Sequence, residues 1–104
     1  MEEGRIKSLR RVLETQDDQP FPYYALAIEY RNANDLENSR LFFEETLKRF
    51  PEYVPTYYHY GQLLEELGQA PQARGIYTAG LAAAQHAQDD HAYSELQAAL
   101  QNIA

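Results

Sequence analysis

The chain has 104 residues, enough for one compact core, and its 44% hydrophobic and 24% charged residues are typical of a folded, soluble protein rather than a disordered one. It contains no cysteine, which excludes disulfide scaffolds, thiolate zinc sites and thiol nucleophiles. The formal net charge of −7 disfavours nucleic acid and anionic membranes as partners.

The first predicted element is a helix over residues 3–16. Ile6, Leu9, Val12 and Leu13 recur at the three-and-four spacing that places them on one helical face. The N-terminus is charged and lacks the apolar region of a signal peptide, and no segment has the roughly 20 apolar residues that cross a bilayer. We therefore expect a cytoplasmic protein. The excess of arginine over lysine in an acidic chain is typical of GC-rich and salt-loving bacteria.

Residues 20–53 and 54–87 repeat each other at an offset of 34 residues. In this alignment aromatic residues meet aromatic residues and small residues meet small ones: Tyr23 with Tyr57, Ala27 with Gly61, Ser39 with Ala73, and Phe43 with Tyr77. Agreement over a whole period predicts two copies of one supersecondary unit.

Each copy is predicted to be two helices joined by a short turn. Apolar residues at helical spacing place these helices at 22–34, 36–50, 55–67 and 71–87. Proline suits the first turn of a helix, and it stands at the start of three of them: Pro22, Pro55 and Pro71. Asn34 and Gly68 suit the left-handed backbone at a helix end, Asp35 suits the next N-cap, and Pro51 closes a helix.

A last helix is predicted over residues 90–103. The offset of 34 fails here, but two extra residues in the preceding turn align Tyr93 with Tyr57. Asp89 or Asp90 is expected to cap this helix. Gln97 stands where the repeats have a small residue, which indicates looser packing. We expect a capping helix that, with the first helix, covers the two copies.

This arrangement resembles the tetratricopeptide repeat, a 34-residue helix-turn-helix with the pattern W-x2-L-G-x2-Y, then A-x3-F, then P. The matching residues are Tyr23, Leu26, Ala27, Tyr30, Ser39, Phe43 and Pro51 in the first copy, and Tyr57, Tyr60, Gly61, Leu64, Ala73 and Tyr77 in the second. Gln85 departs from the pattern, since proline is usual there. The resemblance implies one all-α domain over residues 1–104, a right-handed superhelical solenoid of two helical hairpins between flanking N- and C-terminal helices.

The resemblance also implies that the protein binds a peptide segment or helix of a partner protein in a concave groove lined by the first helices of the repeats. The positions carried over are Tyr24, Ile28, Arg31, Tyr58, His59, Gln62 and Glu65, with Ser94, Glu95 and Ala98 from the last helix. Tyr24 and Tyr58 either project into the groove or pack against the terminal helices. Family members that clamp the C-terminal carboxylate of heat-shock chaperones use lysines and asparagines at these positions, which this chain lacks. A ligand with aromatic, aliphatic or basic side chains suits the groove better.

Few residues could support catalysis. His86 and His91 flank Asp89 and Asp90 and could hold a divalent metal, although the same residues suit a capped, solvent-facing turn. Neighbours on a helix point about 100° apart, so the pairs Glu44 with Glu45 and Glu65 with Glu66 indicate solvated surface rather than acid–base dyads. Asp17 and Asp18 are also adjacent, and they are predicted to lie in a loop that leads to Pro20. We expect a non-catalytic protein without cofactor or metal. A structural homo-oligomer, such as a homodimer built through the groove or the terminal helices, is the second hypothesis, and a metal-dependent enzyme is a remote third.

Overall fold

The computed structural model describes residues 2–103, with side chains from residue 4 onward. Within this range the chain forms six helices and no strand: α1 (Glu2–Leu13), α2 (Pro20–Asn32), α3 (Leu36–Arg49), α4 (Pro55–Glu66), α5 (Ala70–His86) and α6 (Asp90–Asn102). The predicted all-α helical repeat fold is therefore confirmed. The helices form two compact units, an N-terminal unit (α1 to α3) that ends at Phe50 and a C-terminal unit (α4 to α6) that begins at Pro51. No helix in the described range is both long and apolar enough to cross a membrane.

Three helix bounds differ from the prediction by more than one residue: the end of α1 and both bounds of α2, which ends at Asn32 rather than at residue 34. α1 ends at Leu13 rather than at residue 16, and after Leu13 the amides of Glu14 and Thr15 donate to carbonyl oxygens only three residues back, both at 3.1 Å. α2 begins at Pro20, two residues before Pro22. Both prolines are tolerated, because the first amides of a helix have no acceptor within it.

The helical hairpin of α2 and α3 forms the core of the N-terminal unit, where Leu26, Ala27 and Phe43 are fully buried. The Ser39 hydroxyl donates to the Ala27 carbonyl oxygen at 2.7 Å, so the small residues at these two positions let the helices approach closely. α1 packs against α2. Arg10 strengthens this contact, because its Nε donates to the Tyr30 hydroxyl at 2.7 Å and its guanidinium lies 5.5 Å from the Tyr30 ring centre.

The hairpin of α4 and α5 forms the core of the C-terminal unit. Gly61 lies so close to the Tyr77 ring that a Cβ atom at Gly61 would be 2.2 Å from it. A Cβ atom at Gly80 would likewise be 2.6 Å from that of Tyr57. Since Gly61 lies after Tyr57 in α4 while its partner Tyr77 lies before Gly80 in α5, the two helices run antiparallel. α6 packs against both, and Leu96 closes the core at 1% exposure.

One type of turn joins α2 to α3, α4 to α5, and α5 to α6. After each helix a residue adopts positive φ: Asn34 (61°), Gly68 (74°) and Gln88 (58°). The amide of the next residue then donates to a carbonyl oxygen five residues back, at 2.8 to 2.9 Å, as in the Schellman motif. The sequence predicted this backbone at Asn34 and Gly68 but not at Gln88.

Asp35 and Asp89 close two of these turns and cap the following helices. The Asp35 carboxylate accepts the Asn38 amide at 3.2 Å, and the Asp89 carboxylate accepts the Ala92 amide at 3.0 Å. The Asn38 side chain also donates to Asp35, at 2.8 Å. The hydrogen bonds from the side chain and then the backbone of Asn38 lower the pKa of Asp35 below its usual value, so this cap stays ionised in mild acid.

Candidate functional site

The residues that match the repeat pattern build the cores of the two units, with one exception. All are buried except Pro51: Tyr23, Leu26, Ala27, Tyr30, Ser39, Phe43, Tyr57, Tyr60, Gly61, Leu64, Ala73 and Tyr77. Pro51 is exposed, but its carbonyl oxygen accepts the Tyr57 hydroxyl at 2.5 Å. The Tyr23 hydroxyl donates to the Asp17 carbonyl oxygen in the same way, at 3.0 Å. Each of these tyrosines therefore fixes the loop before its own helix.

Burial keeps the Tyr57 hydroxyl protonated. Desolvation, with a smaller contribution from the charge of Glu52, raises the pKa of Tyr57 above its usual value. The hydroxyl therefore stays a hydrogen-bond donor to Pro51 throughout the physiological pH range.

Tyr24, Ile28 and Arg31 lie on α2, and all three are partly exposed. Tyr23, one residue before Tyr24, is 6% exposed, so the two adjacent rings divide between core and surface. The Tyr24 ring centre lies 6.4 Å from that of Phe21, which is itself 58% exposed. This end of α2 therefore presents an aromatic surface.

α4 carries four of the predicted binding residues: Tyr58, His59, Gln62 and Glu65. Tyr58 contacts two of them, His59 and Gln62. The Tyr58 ring lies edge-on to His59 at 5.4 Å and is 6.4 Å from the ring of the buried Tyr77. Gln62 Nε2 donates to the Tyr58 hydroxyl at 2.9 Å. The Tyr77 hydroxyl donates to the Glu65 carboxylate at 2.5 Å, so Glu65 supports the core as well as the surface. These contacts fix the Tyr58 ring in one orientation.

A pocket of about 160 Å³ lies between α4 and α6. Its floor is apolar and includes Val54 and Leu96, which are 8% and 1% exposed. Its remaining lining comes from Tyr58, His59, Asp89, His91 and Glu95, together with Pro55 and Ala92. We call this cavity the α4–α6 pocket. The sequence suggested Tyr58, His59 and Glu95 as binding residues but did not predict a pocket, because the approach of α6 to α4 follows the two-residue shift that breaks the repeat period.

Other residues of α6 lie outside the α4–α6 pocket. Ser94 and Ala98, which the resemblance placed near the groove, are exposed on α6 and do not line this cavity. Gln97, at the position that Gly61 takes in α4, is also exposed.

The structure does not assemble the histidines and carboxylates near residue 90 into a metal centre. Asp89 caps α6, and His91 lies at the edge of the α4–α6 pocket. His86 is exposed at the end of α5, where it lines a shallow depression with Tyr57. Among the described residues, no group of three or more histidine and carboxylate side chains could hold a metal ion.

The adjacent carboxylates Glu44 and Glu45 form ion pairs on the surface of α3. Glu44 accepts from Arg40 at 2.9 Å, and Glu45 accepts from Arg49. The hydrogen bond to Glu45 is the largest cause that raises the pKa of Arg49. Exposed pairs at this spacing add little to stability, and the two carboxylates act on different partners rather than as a dyad.

Comparisons with known proteins agree with this architecture. The sequence profile of the tetratricopeptide repeat matches residues 30–100. A tetratricopeptide repeat domain protein from Salinibacter ruber, solved by NMR, is 36% identical with a TM-score of 0.77 over 80% of this chain and 84% of that chain. A crystal structure of a tetratricopeptide repeat domain protein from the same organism gives the same identity and TM-score, with 80% and 93% covered. A protein from Bordetella parapertussis is 25% identical with a TM-score of 0.78, over 92% of this chain and 84% of that chain. No curated protein matches the sequence.

Proposed function

Because the chain belongs to the tetratricopeptide repeat family, whose members generally mediate protein–protein interactions, we propose that it binds a segment of another polypeptide and catalyses no reaction. The observation that carries the proposal is the placement of Tyr58. Its ring is half-exposed, is fixed by Gln62 and Tyr77, and lines the α4–α6 pocket. A rigid aromatic side chain beside a cavity offers a large contact area that loses little conformational freedom on binding.

The other positions carried over from the family offer further contacts in the proposal, those on α4 in the C-terminal unit and those on α2 in the N-terminal unit. His59 and Gln62 adjoin Tyr58 on α4, while Tyr24, Ile28 and Arg31 offer aromatic, aliphatic and cationic contacts on α2. We expect an affinity of about 1 to 100 μM for a single peptide. The concave groove and the cytoplasmic location stay predictions from the sequence.

Peptide selection tests the proposal. A displayed peptide library is selected on the full chain, and enriched peptides are titrated by fluorescence anisotropy. Tyr58→Ala should weaken binding about tenfold or more, because hot-spot tyrosines contribute about 1.4 kcal/mol or more. Leu41→Ala, which removes a 48% exposed apolar side chain from α3, should leave the affinity unchanged. Circular dichroism confirms that both variants remain folded. Failure to enrich any peptide, or equal binding by Tyr58→Ala, would overturn the proposal.

A structural homo-oligomer is the second candidate, and the exposure of Phe21 and Leu41 favours it. These large apolar residues are 58% and 48% exposed, and exposed apolar surface promotes self-association. Size-exclusion chromatography with light scattering separates the two candidates. A monomer whose mass does not change with concentration would eliminate the oligomer.

A further inference from the structure

We propose that the α4–α6 pocket receives an arginine side chain from the partner segment. This inference rests on the proposed function, because it assigns the chemistry of the ligand at the same site. Three properties of the pocket support it, namely its size, its apolar floor and aromatic wall, and its charge.

The α4–α6 pocket has the size of one long side chain. Its volume is about 160 Å³, and a cavity of about 150 Å³ accommodates a benzene molecule. The buried residues Val54 and Leu96 offer apolar contact to the methylene stem of an arginine. The ring of Tyr58 forms part of the wall, where a planar guanidinium can stack on it.

The charge around the pocket favours a cation. Asp89 and Glu95 are among its lining residues, and a guanidinium forms strong, directional hydrogen bonds with carboxylates. Residues 51–104 contain six acidic side chains, against one arginine, Arg74, no lysine and three histidines. A cationic ligand is therefore attracted both by the pocket and by the whole C-terminal unit.

An anionic ligand is the main competitor, because α4 and α6 both begin at the pocket and helix N-termini attract anions. The structure disfavours it. In α6 the Ala92 amide already donates to the Asp89 carboxylate. In α4 the amides of Thr56 and Tyr57 donate to carbonyl oxygens at 3.4 and 3.2 Å, and Pro55 has no amide hydrogen. The amides of Ala92, Thr56 and Tyr57 are therefore already engaged, and Pro55 offers none to an anion.

Titration with a small arginine probe tests the inference directly. The ¹⁵N-labelled full chain is titrated by NMR with Nα-acetylarginine amide and, separately, with Nα-acetylcitrulline amide, which has nearly the same shape without the charge. We expect saturable shifts of the Tyr58 and Leu96 amides, with a dissociation constant of about 1 mM for the arginine probe. The citrulline probe should bind at least about fivefold more weakly, because it lacks the charge-assisted hydrogen bonds.

Three variants locate the binding. Glu95→Gln should weaken the arginine probe about threefold or more, the moderate effect expected of an exposed carboxylate. Ala92→Leu should abolish binding by filling the cavity while keeping its charge. Glu14→Gln changes the net charge equally in the N-terminal unit and should have no effect. Circular dichroism confirms that all three remain folded.

Several outcomes would overturn the inference. Equal binding of the two probes would remove the role of the charge. Saturable shifts of the same amides with acetate would identify an anion site. Full affinity in both Glu95→Gln and Ala92→Leu would place the arginine elsewhere. Self-association of the unliganded chain that Glu95→Gln abolishes would identify a second copy as the occupant.

The selected peptides separate this inference from the proposed function. Peptides that need Tyr58 but contain no arginine and tolerate Glu95→Gln would uphold the binding function and reject the arginine pocket. Conversely, specific binding of the arginine probe without any selected peptide would uphold the pocket and reject the proposed function.

Discussion

Thr46 and Thr56 are both fully buried, but their hydroxyl groups differ in hydrogen bonding. Thr46 Oγ1 donates to the Phe42 carbonyl oxygen at 2.6 Å. Thr56 Oγ1 has no hydrogen-bond partner among the described residues. A buried hydroxyl without a partner loses its hydrogen bonds to water, and no hydrogen bond within the protein replaces them. These two threonines should therefore respond differently to the same substitution.

Replacing each threonine by valine measures this difference. Thr56→Val should raise the free energy of unfolding by about 1 kcal/mol, because it removes an unpaired polar group at nearly constant volume. Thr46→Val should be neutral or lower it by up to about 1 kcal/mol, since it removes a formed hydrogen bond. Urea denaturation followed by circular dichroism gives both values. Equal destabilisation by the two substitutions would contradict the prediction and point to an ordered water at Thr56.

The repeat period predicts some close contacts of single residues and misses others. Ala27 and Gly61 share an aligned position with small residues in both copies, so the sequence indicates a close helix approach at each. Gly80 also makes a close contact, with Tyr57, but its counterpart in the first copy is Thr46. An alignment of the two copies detects only the positions that they share, so this contact could not be predicted from it.

At the scale of helices and turns, the sequence is informative because the interactions are local. Hairpin formation follows from apolar spacing and from the turn residues Asn34 and Gly68. The positive φ of Gln88 was not predicted, because glutamine rarely adopts this conformation. A signal was nevertheless present, since Gln88 precedes the cap Asp89 as Asn34 precedes Asp35.

The strained backbone at Gln88 can be relieved. Gln88 is exposed and has φ of 58°, so Gln88→Gly should raise the free energy of unfolding by about 0.5 to 1 kcal/mol. Gly68→Ala is the reverse substitution at the equivalent position of another turn. A Cβ atom at Gly68 would have no atom within 4 Å, so the cost of alanine there comes only from the backbone conformation at φ of 74°. It should lower the free energy of unfolding by about 1 kcal/mol. Urea denaturation measures both, and a neutral Gln88→Gly would contradict the assignment of strain to this turn.

At the scale of the whole molecule, the negative charge is unevenly distributed. The formal net charge is −7 with histidine neutral, and residues 51–104 hold six acidic side chains but only one arginine, Arg74, and no lysine. The N-terminal half nearly balances its charges, and several of its arginines contact internal partners, such as Arg5 with Glu29. The acidic C-terminal unit is therefore the half that attracts a basic partner over distance.

This uneven charge predicts a dependence on salt. A selected peptide that contains arginine should lose about threefold in affinity between 50 and 500 mM NaCl, because salt shortens the range of the attraction. The same peptide with citrulline in place of arginine should change little. Fluorescence anisotropy at a series of salt concentrations measures both peptides. An arginine peptide indifferent to salt would contradict an electrostatic role for the C-terminal unit.

At this scale, the α4–α6 pocket could not be predicted from the sequence. Its residues come from α4 and α6, and the repeat period relates these helices only after an irregular two-residue shift. The spacing of apolar residues predicts α6, and the preference of helix N-termini for aspartate predicts its cap at Asp89 or Asp90. Whether α6 leaves a cavity beside Tyr58 depends on side-chain packing between helices more than 20 residues apart in the sequence.

The fixed ring of Tyr58 also gives the protein an optical signal. The chain has nine tyrosines and no tryptophan, so tyrosine emission is not lost by energy transfer to an indole. Tyr58 lines the α4–α6 pocket, whereas Tyr23, Tyr30, Tyr57, Tyr60 and Tyr77 are buried in the cores. A ligand that enters the pocket changes the surroundings of this ring while those of the core tyrosines stay the same. Near-ultraviolet spectra of the unlabelled protein can therefore report occupancy of the pocket.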